Sequence, residues 1–279
     1  MKIKHCIKII SSLLNKFKYR NCVQKSERII SLLIKKKDTY LVKNENKKLK
    51  YKYLKKIKIF MKKIKNEESI EHALGYCNFW KFKLFTSIYT IVPRYETECL
   101  IEKILKMYEN RKLKVLELGT GIGNISISLA YERKMWKITA IDFIENLIKI
   151  SKKNAKNLNL KNIKFITGSW FHPVKYKKYN IIVSNPPYLT KKYINTLIEN
   201  YQYECISSLI GGEDGLIYIN YICKNAYKYL FKYGSLFIEH ACDQGSKVRR
   251  IMKDSNLSFV KTYTDYSKKE RFTFGKLIF

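Results

Sequence analysis

The stretch Asn185-Pro186-Pro187-Tyr188 ends an apolar run, Tyr179–Ser184, and combines residue types that can do chemistry together. Neither proline has an N–H to donate and each fixes φ, so a strand cannot run on through them; Pro186 also holds Asn185 extended. The result is a rigid lip carrying a side-chain amide, a free carbonyl and, at Tyr188, an aromatic ring. Such a lip suits a planar amide or aromatic amino group. The NH2 of that group can donate to the Asn185 side-chain oxygen and the Pro186 carbonyl, while Tyr188 packs on its plane. A nitrogen of that type is a poor nucleophile because its lone pair is delocalised. Alignment toward an electrophilic methyl group, worth roughly 7–11 kcal/mol as effective molarity, then supplies most of the rate. A proline-ended strand with Asn as a turn residue explains the tetrapeptide taken alone.

Its company argues for more. Val115-Leu116-Glu117-Leu118 runs into Gly119-Thr120-Gly121-Ile122-Gly123, and a helical stretch follows. Glycines at such a turn let the backbone approach a ligand, and in an open α/β sheet the turn lies at the carboxyl ends of the strands, where ligands bind. The next strand, Lys137–Ile141, ends at Asp142, about 20 residues after the glycines, where an acid accepts ribose hydroxyls. Loop and acid together indicate a nucleoside cofactor without saying which one. An acid there also favours the positive sulfonium of S-adenosylmethionine.

These groups need elements to position them. Before Gly75 there is no glycine or proline, and Leu54, Ile57, Met61 and Ile64 follow helical spacing, as do stripes in Ile9–Leu14 and Ile29–Ile34. Residues 1–75 therefore read as a small all-α domain of about four helices. Tyr76–Val92 is aromatic and β-branched, so 76–93 reads as a β-hairpin linker. From 94 to 279, apolar runs at 113–118, 137–142, 163–167, 179–184, 235–240, 256–263 and 271–278 alternate with helical stretches at 96–109, 122–132, 144–158, 215–231 and 244–254. That alternation predicts an α/β domain, a mostly parallel sheet with helices on both faces. The last two runs are too close for a crossover helix and should pair as an antiparallel hairpin, making the sheet mixed. In helix 144–158, Ile144, Leu147, Ile148, Ser151, Ala155 and Leu158 read as packing.

Composition excludes more than it selects. The formal charge is +33, yet only eight of 56 basic residues are arginine, and the lysines are spread along the chain among Ile, Asn and 22 Tyr. Bidentate base readout favours arginine. The charge reads as solvated lysine faces, neither requiring nor excluding a nucleic-acid partner. The seven cysteines, at 6, 22, 77, 99, 205, 223 and 242, show no metal-ligand spacing and fit reduced thiols in the cytoplasm, with no metal site. Charged residues interrupt the N-terminal apolar run, and no 18-residue apolar stretch suggests a membrane span.

The chain resembles the release-factor glutamine N5-methyltransferases over essentially its whole length. Gly75-Tyr-Cys-Asn-Phe79-Trp80 is similar to the family's Gly-x-x-x-Phe-Trp segment. Pro93-Arg94-Tyr95-Glu96-Thr97-Glu98 is similar to its Pro-Arg-Pro-Glu-Thr-Glu signature. Leu209–Leu216, Glu239 and Asp243-Gln244-Gly245 match further positions. The resemblance implies a Rossmann-like class I methyltransferase domain with a mixed seven-stranded sheet. It implies S-adenosylmethionine at Gly119, Thr120, Gly121, Ile122, Gly123, Asp142, Trp170 and Asn185, and a glutamine held by Asn185, Pro186, Pro187 and Tyr188, with Asn185, Pro186 and Tyr188 catalytic. The acceptor it implies is the Gln of the Gly-Gly-Gln motif of class-I peptide chain release factors, docked with help from the helical leader. Tyr95, Glu117, Ser169 and Ala241-Cys242 depart from the family pattern. Two alternatives share the lip: an amino-group methyltransferase acting on adenine or guanine in DNA or ribosomal RNA, and a non-catalytic RNA-binding scaffold.

Overall fold

The leader's apolar stripes fold into five helices: α1 (Ile3–Lys16), α2 (Cys22–Ile34), α3 (Asp38–Lys43), α4 (Tyr51–Lys65) and α5 (Ile70–Leu74). This is a computed structural model, and it describes residues 1–66, 68–109, 111–193 and 208–278. Ile3, Cys6, Ile10 and Leu14 of α1 meet Ile29, Ile30 and Ile34 of α2 and Ile57, Phe60 and Ile64 of α4 in one core. The helical spacing is as expected but shifted by a residue in places. Ile9 is 40% exposed, while Leu54 and Met61 only flank the core. Lysines 52, 55, 56, 58, 62 and 65 of α4 are solvated. Ser69 caps α5 by accepting from the His72 N–H at 3.1 Å.

Contacts divide the chain into Met1–Gly75 and Tyr76–Phe279. The second unit begins with a hairpin, β1 (Tyr76–Phe79) and β2 (Phe82–Phe85), followed by α6 (Glu96–Met107). Then come β3 (Lys114–Leu118), α7 (Asn124–Glu132), β4 (Lys137–Asp142), α8 (Glu145–Asn157), β5 (Ile163–Thr167) and β6 (Tyr179–Ser184). The chain closes with α9 (Ile217–Ala226), β7 (Leu230–Glu239), α10 (Gly245–Asp254), β8 (Leu257–Thr264) and β9 (Glu270–Leu277). The seven-stranded sheet runs β5-β4-β3-β6-β7-β9-β8. Strands β3 to β7 are parallel and β9 is antiparallel to both neighbours, so the sheet is mixed with a C-terminal antiparallel hairpin.

Alternate side chains of each strand enter opposite layers. Val115, Ile138, Ile181 and Phe237 pack with residues of α6, α7 and α8. Leu116, Leu118, Ile182, Leu236 and Ile238 pack with residues of α9 and α10. Both faces of the parallel strands are thus covered, which is why those runs read as continuously apolar. Among the described residues no helix is long and apolar enough to cross a membrane. Six cysteines there are free thiols; Cys205 lies outside the described residues.

The sequence reading needs correcting at two segments. The helix expected over 215–231 stops at Ala226, and β7 starts at Leu230 rather than 235. An irregularity after the Tyr179–Leu230 pair lets the strand begin early; Gly234 sits there because a Cβ would meet Phe231 O at 2.8 Å and Tyr179 O at 3.1 Å. Strand pairing in the hairpin covers only 76–85, and residues 86–95 form an irregular strap. The hairpin is fastened to α8 by Asn154, whose Oδ1 accepts from Phe85 N at 2.8 Å and whose Nδ2 donates to Phe85 O and Ile122 O at 3.0 Å each. Asn154 is 2% exposed, so Asn154→Ala strands the buried Ile122 carbonyl and two half-buried backbone groups of Phe85. Each such group costs about 1–3 kcal/mol, and urea unfolding should show a loss within or above that range; a change indistinguishable from zero would show that the clamp contributes nothing.

Candidate active site

The turn after β3 is built from backbone donors. Gly119 N and Thr120 N both donate to Ile141 O at 2.9 Å, and Gly121 N donates to Asp142 Oδ2 at 2.8 Å. Asp142 Oδ1 accepts from Ile144 N at 2.9 Å, so this carboxylate staples the loop to the start of α8. Burial pushes the Asp142 pKa up, with the Ile144, Gly121 and Phe143 N–H groups opposing. Ser151, expected only to pack, donates to Gly121 O at 2.8 Å. At Gly119 φ is +71 and an added Cβ would meet nothing within 4 Å, so bare backbone faces open space. Gly123 differs: a Cβ there would meet Ile127 Cδ1 at 2.8 Å, which marks it as a packing glycine.

Glu117, at the end of β3, is 1% exposed. Its Oε2 accepts from Thr120 Oγ1 at 2.5 Å and from Ser126 N at 3.1 Å. Burial pushes its pKa up to about 8 against those bonds, and Asp142 adds to the rise. The side chain thus ties the glycine turn to the first turn of α7.

The Asn185–Tyr188 lip leaves β6 beside that turn, with Ser184 Oγ donating to Leu118 O at 2.8 Å. The matching stretch 209–216 runs along it: Leu189 N donates to Leu209 O at 2.9 Å and Gly211 N to Leu189 O at 2.8 Å. A Cβ on Gly211 would meet Pro187 O and Gly215 O, each at 2.6 Å, and one on Gly215, where φ is +73, would overlap Tyr188 O. Gln244 completes the buttress. Its Nε2 donates to Tyr188 O at 2.9 Å and to Asp214 O at 3.3 Å, and its Oε1 accepts from Ala241 N at 3.0 Å. The segments that resembled the family without an evident task are therefore the mould in which the lip is cast.

Loop and lip open on one cavity of about 820 Å³, a size suited to a cofactor together with a small planar group. Gly119, Thr120 and Gly121 line it, as do all four residues of the lip, Glu117, Glu239, Gln244 and Arg271. The strap contributes Thr90–Arg94, with Glu96 and Thr97 of α6. Ile122, Gly123, Asp142 and Trp170 are not among the lining residues. Ile122 is core, 1% exposed, and the Trp170 ring stands 5.2 Å from Tyr218 and 6.2 Å from Tyr221.

Thr97 and Glu239 lie in stretches of family resemblance, and spacing alone gives neither a site role. Thr97 Oγ1 donates to Glu239 Oε1 at 3.2 Å and accepts from Asn185 Nδ2 at 3.4 Å. Burial pushes Glu239 up to about 7, opposed by the Thr97 hydroxyl, the Arg271 charge and the Asn185 amide, with Glu96 adding to the rise. Burial, then Glu239, also raises the Tyr188 phenol, so Tyr188 stays neutral. Glu98 is structural: its Oε1 accepts from Trp80 N at 2.6 Å, which joins the two signature segments. Among the described residues no group of three or more His, Cys, Asp or Glu is placed to hold a metal.

A parallel-centred sheet with an antiparallel C-terminal hairpin, a glycine turn after β3 and a proline-locked lip after β6 define a Rossmann-like class I methyltransferase. The fold is shared with a Pyrococcus furiosus methyltransferase (TM-score 0.52, 16% identity, 68% of this chain and 89% of that one). It is shared too with a T. thermophilus 16S rRNA methyltransferase bound to AdoMet and guanosine (TM-score 0.55, 14% identity, 72% and 49%). The family described as a methyltransferase domain matches residues 109–270. Release factor glutamine methyltransferases of Buchnera aphidicola subsp. Acyrthosiphon pisum (36% identity, 90% of each chain) and subsp. Baizongia pistaciae (35%, 99% of each) are similar along most of their length. That of Escherichia coli is 33% identical over 75% of this chain and 76% of its own. The chain belongs to the release factor glutamine methyltransferase family.

The open backbone at Gly119 beside an 820 Å³ cavity leaves room for a methyl-donor cofactor. Gly215→Ala, which forces a Cβ against Tyr188 O at a positive φ, should lower methyl transfer by more than about tenfold while cofactor affinity is retained. Calorimetry and a turnover assay on the folded variant check this; wild-type turnover would mean that the lip tolerates displacement.

Proposed function

We propose that this enzyme transfers the methyl group of S-adenosylmethionine to the side-chain amide nitrogen of the glutamine in the Gly-Gly-Gln motif of class-I release factors, in the cytoplasm. The observation that carries the reading is that Asn185–Tyr188 and Gly119–Gly121 line one cavity. Bound there, S-adenosylmethionine supplies an electrophilic methyl group on a sulfonium. In this reading Gly119–Gly121 hold the cofactor, and Asp142, whose oxygens keep lone pairs beyond their two N–H bonds, takes its ribose hydroxyls. Ile122 and Gly123 act by shaping the turn, whereas Trp170 packs with Tyr218 and Tyr221 and is given no cofactor contact.

The acceptor glutamine donates its two amide hydrogens to Asn185 Oδ1 and the Pro186 carbonyl, and Tyr188 packs against its plane. Those bonds point the nitrogen at the methyl carbon and draw electron density onto it. A base strong enough to deprotonate an amide beforehand is unnecessary: the N–C bond forms as the S–C bond breaks, and the then-acidic nitrogen loses its proton to solvent. The helical unit Met1–Gly75 is assigned to docking the acceptor protein, since every residue lining the cavity falls within 90–271.

Incubation with methyl-labelled cofactor and, in parallel, purified release factor or ribosomal RNA should label only the protein, at the Gly-Gly-Gln glutamine. Asn185→Ala should abolish that label while cofactor still binds. Label on RNA alone replaces the reading with nucleobase methylation. Asp142→Ala should weaken S-adenosylmethionine binding in calorimetry, and unchanged affinity in the folded variant rejects the ribose assignment.

A further inference from the structure

We propose that Thr97 and Glu239 are positioning residues that fix which end of the Asn185 amide faces the acceptor. This rests on the Asn185 cradle proposed above and goes beyond it, because a bare Asn side chain does not choose its own orientation. Its oxygen and nitrogen are nearly equal in size, and only the hydrogen-bond network decides between the two flips. The cradle works in one of them. With Oδ1 toward the cavity it accepts from the substrate NH2; flipped, it would set donor against donor.

The network read from its buried end gives one answer. An ionised carboxylate only accepts. Glu239, 2% exposed, therefore takes the Thr97 hydroxyl hydrogen on Oε1 at 3.2 Å. With its hydrogen committed, Thr97 Oγ1 presents lone pairs, and Asn185 Nδ2 donates to it at 3.4 Å. The amide nitrogen is thereby held at the protein side and Oδ1 is left for the substrate. Besides the Thr97 hydroxyl, the Asn185 side-chain amide also steadies the buried Glu239 carboxylate, which again turns the amide nitrogen toward the protein side.

Protonation undoes the direction. A neutral Glu239 can donate to Thr97 Oγ1, which frees the Thr97 hydrogen for Asn185 Oδ1 and permits the flipped amide. The charged and titratable groups around Glu239 are Glu96 of α6, Tyr188 of the lip and Arg271 of β9. Burial holds Glu239 near 7 against Arg271, so the unproductive orientation should become populated as pH falls through that value.

The test uses the full-length enzyme, S-adenosylmethionine and release factor. Thr97→Val keeps the shape and removes the relay; kcat should fall about 10- to 100-fold, with cofactor affinity and KM little changed. Thr97→Ser restores the hydroxyl and should recover most of kcat. In wild type, kcat should rise with pH through about 7, the value to which burial lifts Glu239, and Glu239→Gln, which cannot titrate, should lose that rise. Wild-type kcat in Thr97→Val, a Thr97→Ser variant as impaired as Thr97→Val, or an unaltered pH profile in Glu239→Gln each overturns the relay. Asn185→Ala in the same assay separates the two ideas: if it is inactive the cradle stands whatever the relay does, and if it is active the cradle itself fails. Should Thr97→Val not fold, Thr97→Ser and the Glu239→Gln pH profile still decide.

Discussion

A backbone segment that contains two consecutive prolines has given up the hydrogen bonds by which a strand normally holds its place. At Pro186 and Pro187 no N–H is left to hold the chain, so these two residues are placed through their carbonyls and by what presses on them. Tyr188 O is taken by the Gln244 side chain, and the Pro187 and Tyr188 carbonyls lie so close to Gly211 and Gly215 that any side chain at either glycine would collide with backbone. The Leu189–Ile210 bridge then sets the register of the two segments. Rigidity from the prolines and location from the glycines and Gln244 are separate contributions, and a cradle that works by alignment needs both.

Three buried carboxylates stand around the site, and each has a different task written in its partners. Burial raises all three pKa values. Asp142 spends both oxygens on loop N–H groups, so its first consequence is the shape of the glycine turn. Glu117, one of the departures from the family pattern, reaches both Thr120 and Ser126, so local hydrogen bonding accommodates it. Glu239 accepts from the Thr97 hydroxyl at one oxygen and is steadied by the Asn185 amide, which ties it to the lip.

Much of the α/β unit was legible because its strands are short apolar runs bounded by turn residues, and Pro186-Pro187 and the 119–123 glycines mark strand ends whatever the tertiary context. The beginning of β7 was not legible: Leu230–Gly234 carries aromatic residues that suit a helix end as well as a strand, and the choice is made by pairing with Tyr179. Nor was the capping by Ser151 and Asn154, since a polar residue on a helix's inner face announces a partner without naming it. Resemblance pointed to Gln244, Glu239 and Gly211–Gly215 as positions, but their work lies in contacts between segments far apart in the chain, which spacing along one strand or helix does not encode.

The charge of the chain and the charge of its site are different quantities. The whole sequence carries +33, yet the cavity is lined by Arg94, Lys247, Lys269 and Arg271 against Glu96, Glu117, Asp214, Glu239 and Asp243. Burial lifts Glu117 and Glu239 toward neutrality, so acids and bases nearly offset each other in the lining, unlike the strongly positive chain as a whole. The lysines that make the total so large lie mostly on solvated faces such as that of α4. There, at ordinary ionic strength, charge is screened within about 8–10 Å. The excess therefore acts on encounter and solubility at the surface, while in the proposed reading a neutral planar nitrogen is selected by the short-range bonds of Asn185, oriented by Thr97 and Glu239.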